Sequence, residues 1–171
     1  MEGVTTTADV VRLRPPMNRV SPRARWYWMT RAAVLWIVLL VPQVIWWFVD
    51  SDGRRLPHLI VGVGWLVLAA VHLAVMPQWR YLVHRWEATD TAVYTQAGWL
   101  TQQRRIAPIS RVQTVDSERG PIEQLFKLAN VTVTTASAAG PIKIEGLARA
   151  DADQLVADLT TRVGETTGDA T

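Results

Sequence analysis

Three histidines, His58, His72 and His84, are the side chains of this sequence whose ordinary pKa lies nearest neutrality. They sit in or beside two apolar runs and share no metal-ligand spacing. None is paired with a serine or cysteine as a nucleophile would require, and no Gly-rich loop offers to cradle a phosphate. The sequence holds no cysteine, which excludes disulfides, thiolate metal sites and thiol nucleophiles together. Asp116, Glu118 and Glu123 lie close in sequence, but no partner acid or base of a recognisable motif accompanies them. They read as a solvated face. The expectation is therefore no catalytic, cofactor-binding or metal site, and a function other than catalysis.

Two groups of residues remain that bear on binding. Arg12, Arg14, Arg19, Arg23 and Arg25 crowd the N-terminal stretch, where roughly 1 kcal/mol per arginine would favour contact with anionic lipid headgroups. The plainer reading of the same arginines is a signal for membrane topology. Arg104, Arg105, Arg111, Arg119, Lys127 and Lys143 form a second basic set, without the dense stripe or free aromatics that nucleic acid would call for. Within the apolar runs, Gln43 follows Pro42 and lies by depth near Gly62 and Gly64, small residues that permit close helix approach. This is a candidate intramembrane packing site. His72, about one turn from a helix end, has no evident acidic partner.

These groups depend on the two apolar runs for their position. Ala32 to Val49 contains no charge, and Leu56 to Met76 carries none except on histidine. As helices they would be about 27 and 31 Å long, close to the hydrocarbon thickness of a bilayer. The reading is a transmembrane hairpin, residues 26–79, with spans at 32–49 and 56–76. No cleavable leader is expected, because about thirty mostly polar residues precede the first run. Arg12, Arg14, Arg19, Arg23, Arg25 and Arg31 precede the first span and Arg80 and Arg85 follow the second, against Arg54 and Arg55 in the turn. The positive-inside rule then puts both termini in the cytoplasm of a bacterial inner membrane protein. Trp26, Tyr27, Trp28, Trp79 and Tyr81 fit one interfacial belt, and Trp46, Trp47 and Phe48 the other.

Before the hairpin, residues 1–25 lack apolar periodicity and read as a disordered or surface-lying arm. After Met76-Pro77 the pattern becomes strand-like over 79–88, 92–97 and 99–106. A fourth strand is expected at Ile109 to Glu118, then a helical turn at Ile122 to Leu128. Asn130 to Ser137 alternates with Val131 and Val133 inward, and Ile142 and Ile144 face the core of the next strand. Ala152, Leu155, Val156, Leu159 and Val163 make the apolar stripe of a closing helix that Gly164 ends, leaving a disordered tail at 164–171. The 171 residues suffice for this hairpin and one small domain, 80–163. The fold class is α+β: a two-helix hairpin, then a small antiparallel β-barrel or sandwich with one C-terminal helix.

Strands followed by a single amphipathic helix is the order of a pleckstrin-homology-like (PH-like) barrel. Pro108-Ile109-Ser110-Arg111-Val112-Gln113-Thr114-Val115 resembles the "P-aliphatic-x-R-aliphatic-Q-x-V" stretch of the bacterial pleckstrin-homology family called YdbS-like. Pro121 to Phe126, Leu128-Ala129, Val131 to Ala136 and Ile144 to Leu147 are similar to its following segments. The resemblance covers about residues 30 to 163, including the two spans before the domain. Two positions depart from it: Gln124 stands where the family commonly has Arg, and Lys127 where it commonly has Gly, a residue suited to a left-handed turn.

The resemblance implies a fold and a membrane address, with some members linked to envelope stress or peptide resistance. It also implies larger relatives with several such domains as natural partners. The expected function is a membrane-anchored interaction module, contacting lipid and other membrane proteins or a second copy of itself, and not nucleic acid. The alternative is a small carrier or lipid-handling protein, an oligomer with Gln43 and His72 at a site between hairpins.

Overall fold

The computed structural model describes residues 15–50, 53, 55–136 and 140–168. Arg12, Arg14 and most of the turn between the spans lie outside the described residues, as does the tail beyond 168. The two apolar runs form helices α1 (Ala24–Val49) and α2 (Arg55–Val83), which pack side by side. Their 26 and 29 residues span about 39 and 43 Å, longer than a hydrocarbon core of about 30 Å. The excess lies at the ends nearest the strands, where residues 24–31 and 77–83 leave the apolar runs.

That excess corrects two expectations. The strand expected over 79–88 is helix as far as Val83, and only Arg85–Ala88 forms strand β2. Trp79-Arg80-Tyr81-Leu82 alternates like a strand, but contacts decide: the Arg80 guanidinium lies 4.7 Å from the Trp28 ring centre and binds Glu145 at 2.7 Å. Helix hydrogen bonding also continues past Pro77, with His84 N–H donating to Arg80 O at 2.8 Å. The arm expected to be disordered through residue 25 is, from Asn18 onward, part of the fold. Strand β1 (Asn18–Arg19) pairs with β2, and the Ser21 N–H donates to Gly146 O at 2.9 Å. The cause is an apolar stripe at helical spacing, Val20, Ala24, Tyr27, Trp28 and Ala32, all buried.

Strands β3 (Ala92–Gly98) and β4 (Gln102–Pro108) complete a four-stranded antiparallel sheet in the order β1-β2-β3-β4. A 3₁₀ turn over Ile109–Arg111 then replaces the start of the expected fourth strand, which begins only at Val112 as β5 (Val112–Glu118). Helix α3 (Pro121–Leu125) leads to β6 (Leu128–Thr135) and β7 (Ile142–Ala148), which with β5 form the second sheet. The two sheets face each other as a sandwich and do not close into a barrel.

Helix α4 (Arg149–Gly168) lies on this sandwich. It runs past Gly164, which keeps a helical φ and carries no left-handed turn to stop it. Val131, Val133, Ile142 and Ile144 point inward as their alternation predicts, against Ala152, Leu155 and Leu159 of α4. A second apolar cluster joins the first turns of α1 to Met76 of α2 and Leu128 of β6, with Ile122, Phe126, Trp86 and Trp99 at its rim. The domain core therefore includes the domain-side end of the hairpin. Where α1 crosses β7, Gly146 takes φ +78° and an added Cβ would stand 2.8 Å from that of Ala24. Only glycine allows this approach.

Candidate functional site

At this junction polar groups of α1, α2 and β6 converge on Glu123 of α3 and Glu145 of β7. Tyr27 Oη donates to Glu123 Oε1 at 2.7 Å, and the Arg31 guanidinium donates to Tyr27 Oη at 2.8 Å. Asn130 sits where the β6–β7 register shifts, a bulge that re-aims its side chain. Its Nδ2 donates to Glu123 Oε1 at 3.1 Å, and its Oδ1 accepts the Gly146 N–H at 3.0 Å. Burial raises the Glu123 pKa, but hydrogen bonds from Tyr27, its own backbone and Asn130, with the Arg31 charge, outweigh it and hold the carboxyl below its ordinary range.

On the other side, His84 stacks 4.8 Å from Trp28 and its Nδ1–H donates to Arg80 O at 2.8 Å. Burial, and then the Arg80 charge, push the His84 pKa down. Glu123 thus leaves the solvated face assigned to it, while Asp116 and Glu118 are exposed. Sequence reasoning passed over Tyr27, Arg80, Asn130 and Glu145. The available signal is the helical stripe from Val20 to Ala32, of which the sequence reading places Val20 and Ala24 in an arm without periodicity and Tyr27 and Trp28 in an interfacial belt.

The described arginines of the N-terminal stretch contact protein. Arg25 donates to Pro22 O and Gln78 Oε1, each at 3.4 Å, and lies 4.9 Å from the Tyr81 ring centre. Arg19 lies 6.0 Å from the same ring. Arg23 lines a cleft of about 880 Å³ with Arg119, Gln124, Lys127 and Arg149. Arg104, Arg105 and Arg111 line a separate cleft beside Gly140, and Lys143 a third with Arg80 and Arg105. The second basic set is thus divided among three clefts. Lys127 adopts the left-handed conformation, at φ +55°, that a glycine would take there.

Inside the hairpin, Gln43 Nε2 donates to His58 O at 3.3 Å, and Gln43 and Gly62 line one apolar cleft of about 430 Å³. An added Cβ at Gly62 or Gly64 would meet nothing within 4 Å, so contact within this hairpin does not require either glycine. His58, buried between Trp46 and Trp47, meets Asp50 Oδ2 at 2.6 Å. Trp36 Nε1 donates to His72 Nδ1 at 2.8 Å. Among the described residues, no group of three or more His, Asp or Glu side chains is placed to hold a metal.

These contacts hold the hairpin and the domain in one arrangement, and similarity to known proteins gives its family. The chain is 30% identical over 162 residues to the UPF0699 transmembrane protein YdbS of Bacillus subtilis (strain 168), covering 90% of this chain and 96% of that one. No solved structure matches it. Residues 20–163 match the family described as Bacterial PH domain, a stretch that starts at Val20, where the buried stripe begins, and takes in both helices of the hairpin. This is a transmembrane protein with two spans and a PH-like domain, and it belongs to the bacterial PH domain family.

Proposed function

We propose that the chain is a non-enzymatic, membrane-anchored interaction module of the bacterial inner membrane, with both termini cytoplasmic. Its PH-like domain would assemble with other membrane proteins, larger relatives carrying several such domains among them, in envelope maintenance or stress. The observation that carries this reading is the shared core: Ala24, Tyr27 and Trp28 of α1 are buried against the domain, so hairpin and domain form one body. A body of this kind presents its surface at a fixed height and angle above the bilayer, which suits docking to other membrane proteins. Gln43, His58 and His72 each make a hydrogen bond inside the hairpin, which leaves little polar lining for a solute path.

A second reading, the small carrier or lipid-handling oligomer, draws on the cleft at Gln43. Two buried nitrogens there, His58 Nδ1 and Trp65 Nε1, have no hydrogen-bond partner among the described residues. Affinity capture of full-length variants in mild detergent separates the two. Val133→Asp places a charge in the domain core, at a cost of several kcal/mol. It is expected to insert in the membrane yet lose co-purifying partners, while Gln43→Leu and His72→Leu keep them. The opposite pattern, capture lost in the span variants and kept in Val133→Asp, would put the carrier reading first.

A further inference from the structure

The turn joining β3 to β4 carries two large apolar residues at its tip, Trp99 and Leu100. Surface turns ordinarily hold small polar residues. Leu100 is 83% exposed, so its place is not explained by packing within the chain. The turn is also rigidly shaped. Gly98 pairs with Gln102 across it at φ +128°, and an added Cβ would run into the Thr101 carbonyl oxygen. Three residues, Trp99 to Thr101, therefore project from the sheet in a fixed direction.

That direction is toward the membrane. The Trp99 ring centre lies 5.9 Å from that of His72 on α2. His72 is four residues, or about 6 Å along the helix, inside the end of the apolar run at Met76. Trp36 of the first span donates to the same imidazole, which places His72 beside a residue four positions inside the other apolar run. Trp79, two turns along α2 on the same face as His72 and half-exposed, stands above this contact as an interfacial aromatic would. The β3–β4 tip is thus continuous with the lipid-facing surface of the hairpin, at the depth where acyl chains meet headgroups.

We propose that the β3–β4 turn is a third point of membrane contact, with Trp99 at the headgroup boundary and Leu100 inserted among the acyl chains of the adjacent leaflet. The ligand is the phospholipid bilayer, held by apolar contact without headgroup specificity. With the two spans, this wedge would fix the tilt of the domain on the membrane. The inference rests on the hairpin crossing the bilayer, and not on the identity of any protein partner.

Because the chain has no cysteine, single substitutions give unique attachment points for a nitroxide label. Leu100→Cys, Leu66→Cys in the middle of α2 and Thr91→Cys at the opposite end of β3 would be labelled in the full chain, in phosphatidylcholine–phosphatidylglycerol vesicles. Electron paramagnetic resonance then reads collisions with oxygen, which concentrates in lipid, against a water-soluble nickel chelate. The label at 100 is expected to favour oxygen, less strongly than at 66, while the label at 91 favours nickel. If positions 100 and 91 behave alike and position 66 still favours oxygen, the wedge is wrong and the hairpin reading stands. A label at 100 shielded from both reagents would mean contact with another protein copy, which also overturns the proposal. Nickel access at 66 would remove the membrane placement itself, and the wedge with it.

Discussion

Replacing Trp28 with alanine tests whether the hairpin and the domain share one core. The side chain is 1% exposed, and its ring packs on the Arg80 guanidinium at 4.7 Å and on His84 at 4.8 Å. Its Nε1 has no hydrogen-bond partner among the described residues, so truncation costs packing and the cation–π contact without breaking a hydrogen bond. Truncating a buried tryptophan costs about 3–5 kcal/mol, of which the cation–π contact accounts for about 1. Small domains are stable by only about 5–15 kcal/mol in total. Amide exchange read by mass spectrometry, with the full chain in lipid nanodiscs, measures the effect where it is felt. Opening of β6 and β7 should become more frequent by about two to nearly four powers of ten, since about 1.4 kcal/mol is tenfold. The middle of the hairpin, whose backbone bonds are held by lipid, should keep its protection. Protection in β6 and β7 within tenfold of the wild type would refute the shared core, because the strands would then be stable without α1.

Three smaller perturbations address single residues. Lys127→Gly removes the strain of a left-handed non-glycine residue and should stabilise the domain by about 1 kcal/mol, raising its Tm by several degrees; an unchanged or lower Tm would contradict the φ of +55°. His84 has a folded pKa below its unfolded value, so the unfolded chain binds the extra proton. Its contribution is intact above about pH 6.5 and is lost as pH falls toward the folded pKa. His84→Asn, which keeps a donor for Arg80 O, should flatten the slope of stability against pH between about 7.5 and 5.5, and an unaltered slope would count against it. Glu123 is also depressed, so its stabilisation is present above its ordinary pKa and lost as pH falls through the folded one. Glu123→Gln should lower stability at pH 7 and weaken its loss on acidification, both measurable by chemical denaturation of the domain signal.

Some of this was legible in the sequence because one face of each element answers to one environment. Two charge-free runs near the thickness of a bilayer have few other uses, and Val131 and Val133 alternate because β6 has one face on the core and one turned away. The junction was not legible, because a tryptophan in a membrane-edge sequence serves equally well in a lipid belt or in a protein core. Trp26 and Trp28 make the point. They are two residues apart and point to opposite sides of one helix, Trp26 57% exposed and Trp28 1%. Composition cannot separate them; the phase of the stripe through Val20, Ala24 and Ala32 can. Gln43 reads from the sequence as a candidate packing site near Gly62 and Gly64; that its amide donates to the carbonyl of His58 follows only from the relative rotation of α1 and α2.

The same phase argument explains why this domain is attached by two helices and not by a flexible linker. The sandwich has one well-filled core beneath α4, built from residues after position 92. Its second cluster would leave Leu128 and the edge of Trp86 facing water if α1 and α2 stopped at the membrane. Extending both helices about 10 Å beyond the bilayer supplies that wall at modest entropic cost, since helical turns already fixed by the spans need only be propagated. Pro77 does not prevent it, because the contacts of Arg80 with Trp28 and Glu145 lie on the far side of the proline and hold the last turns in place. A linker at residue 79 would sever the wall from the sheet it covers. In this chain the membrane anchor and the final layer of the domain are the same two helices.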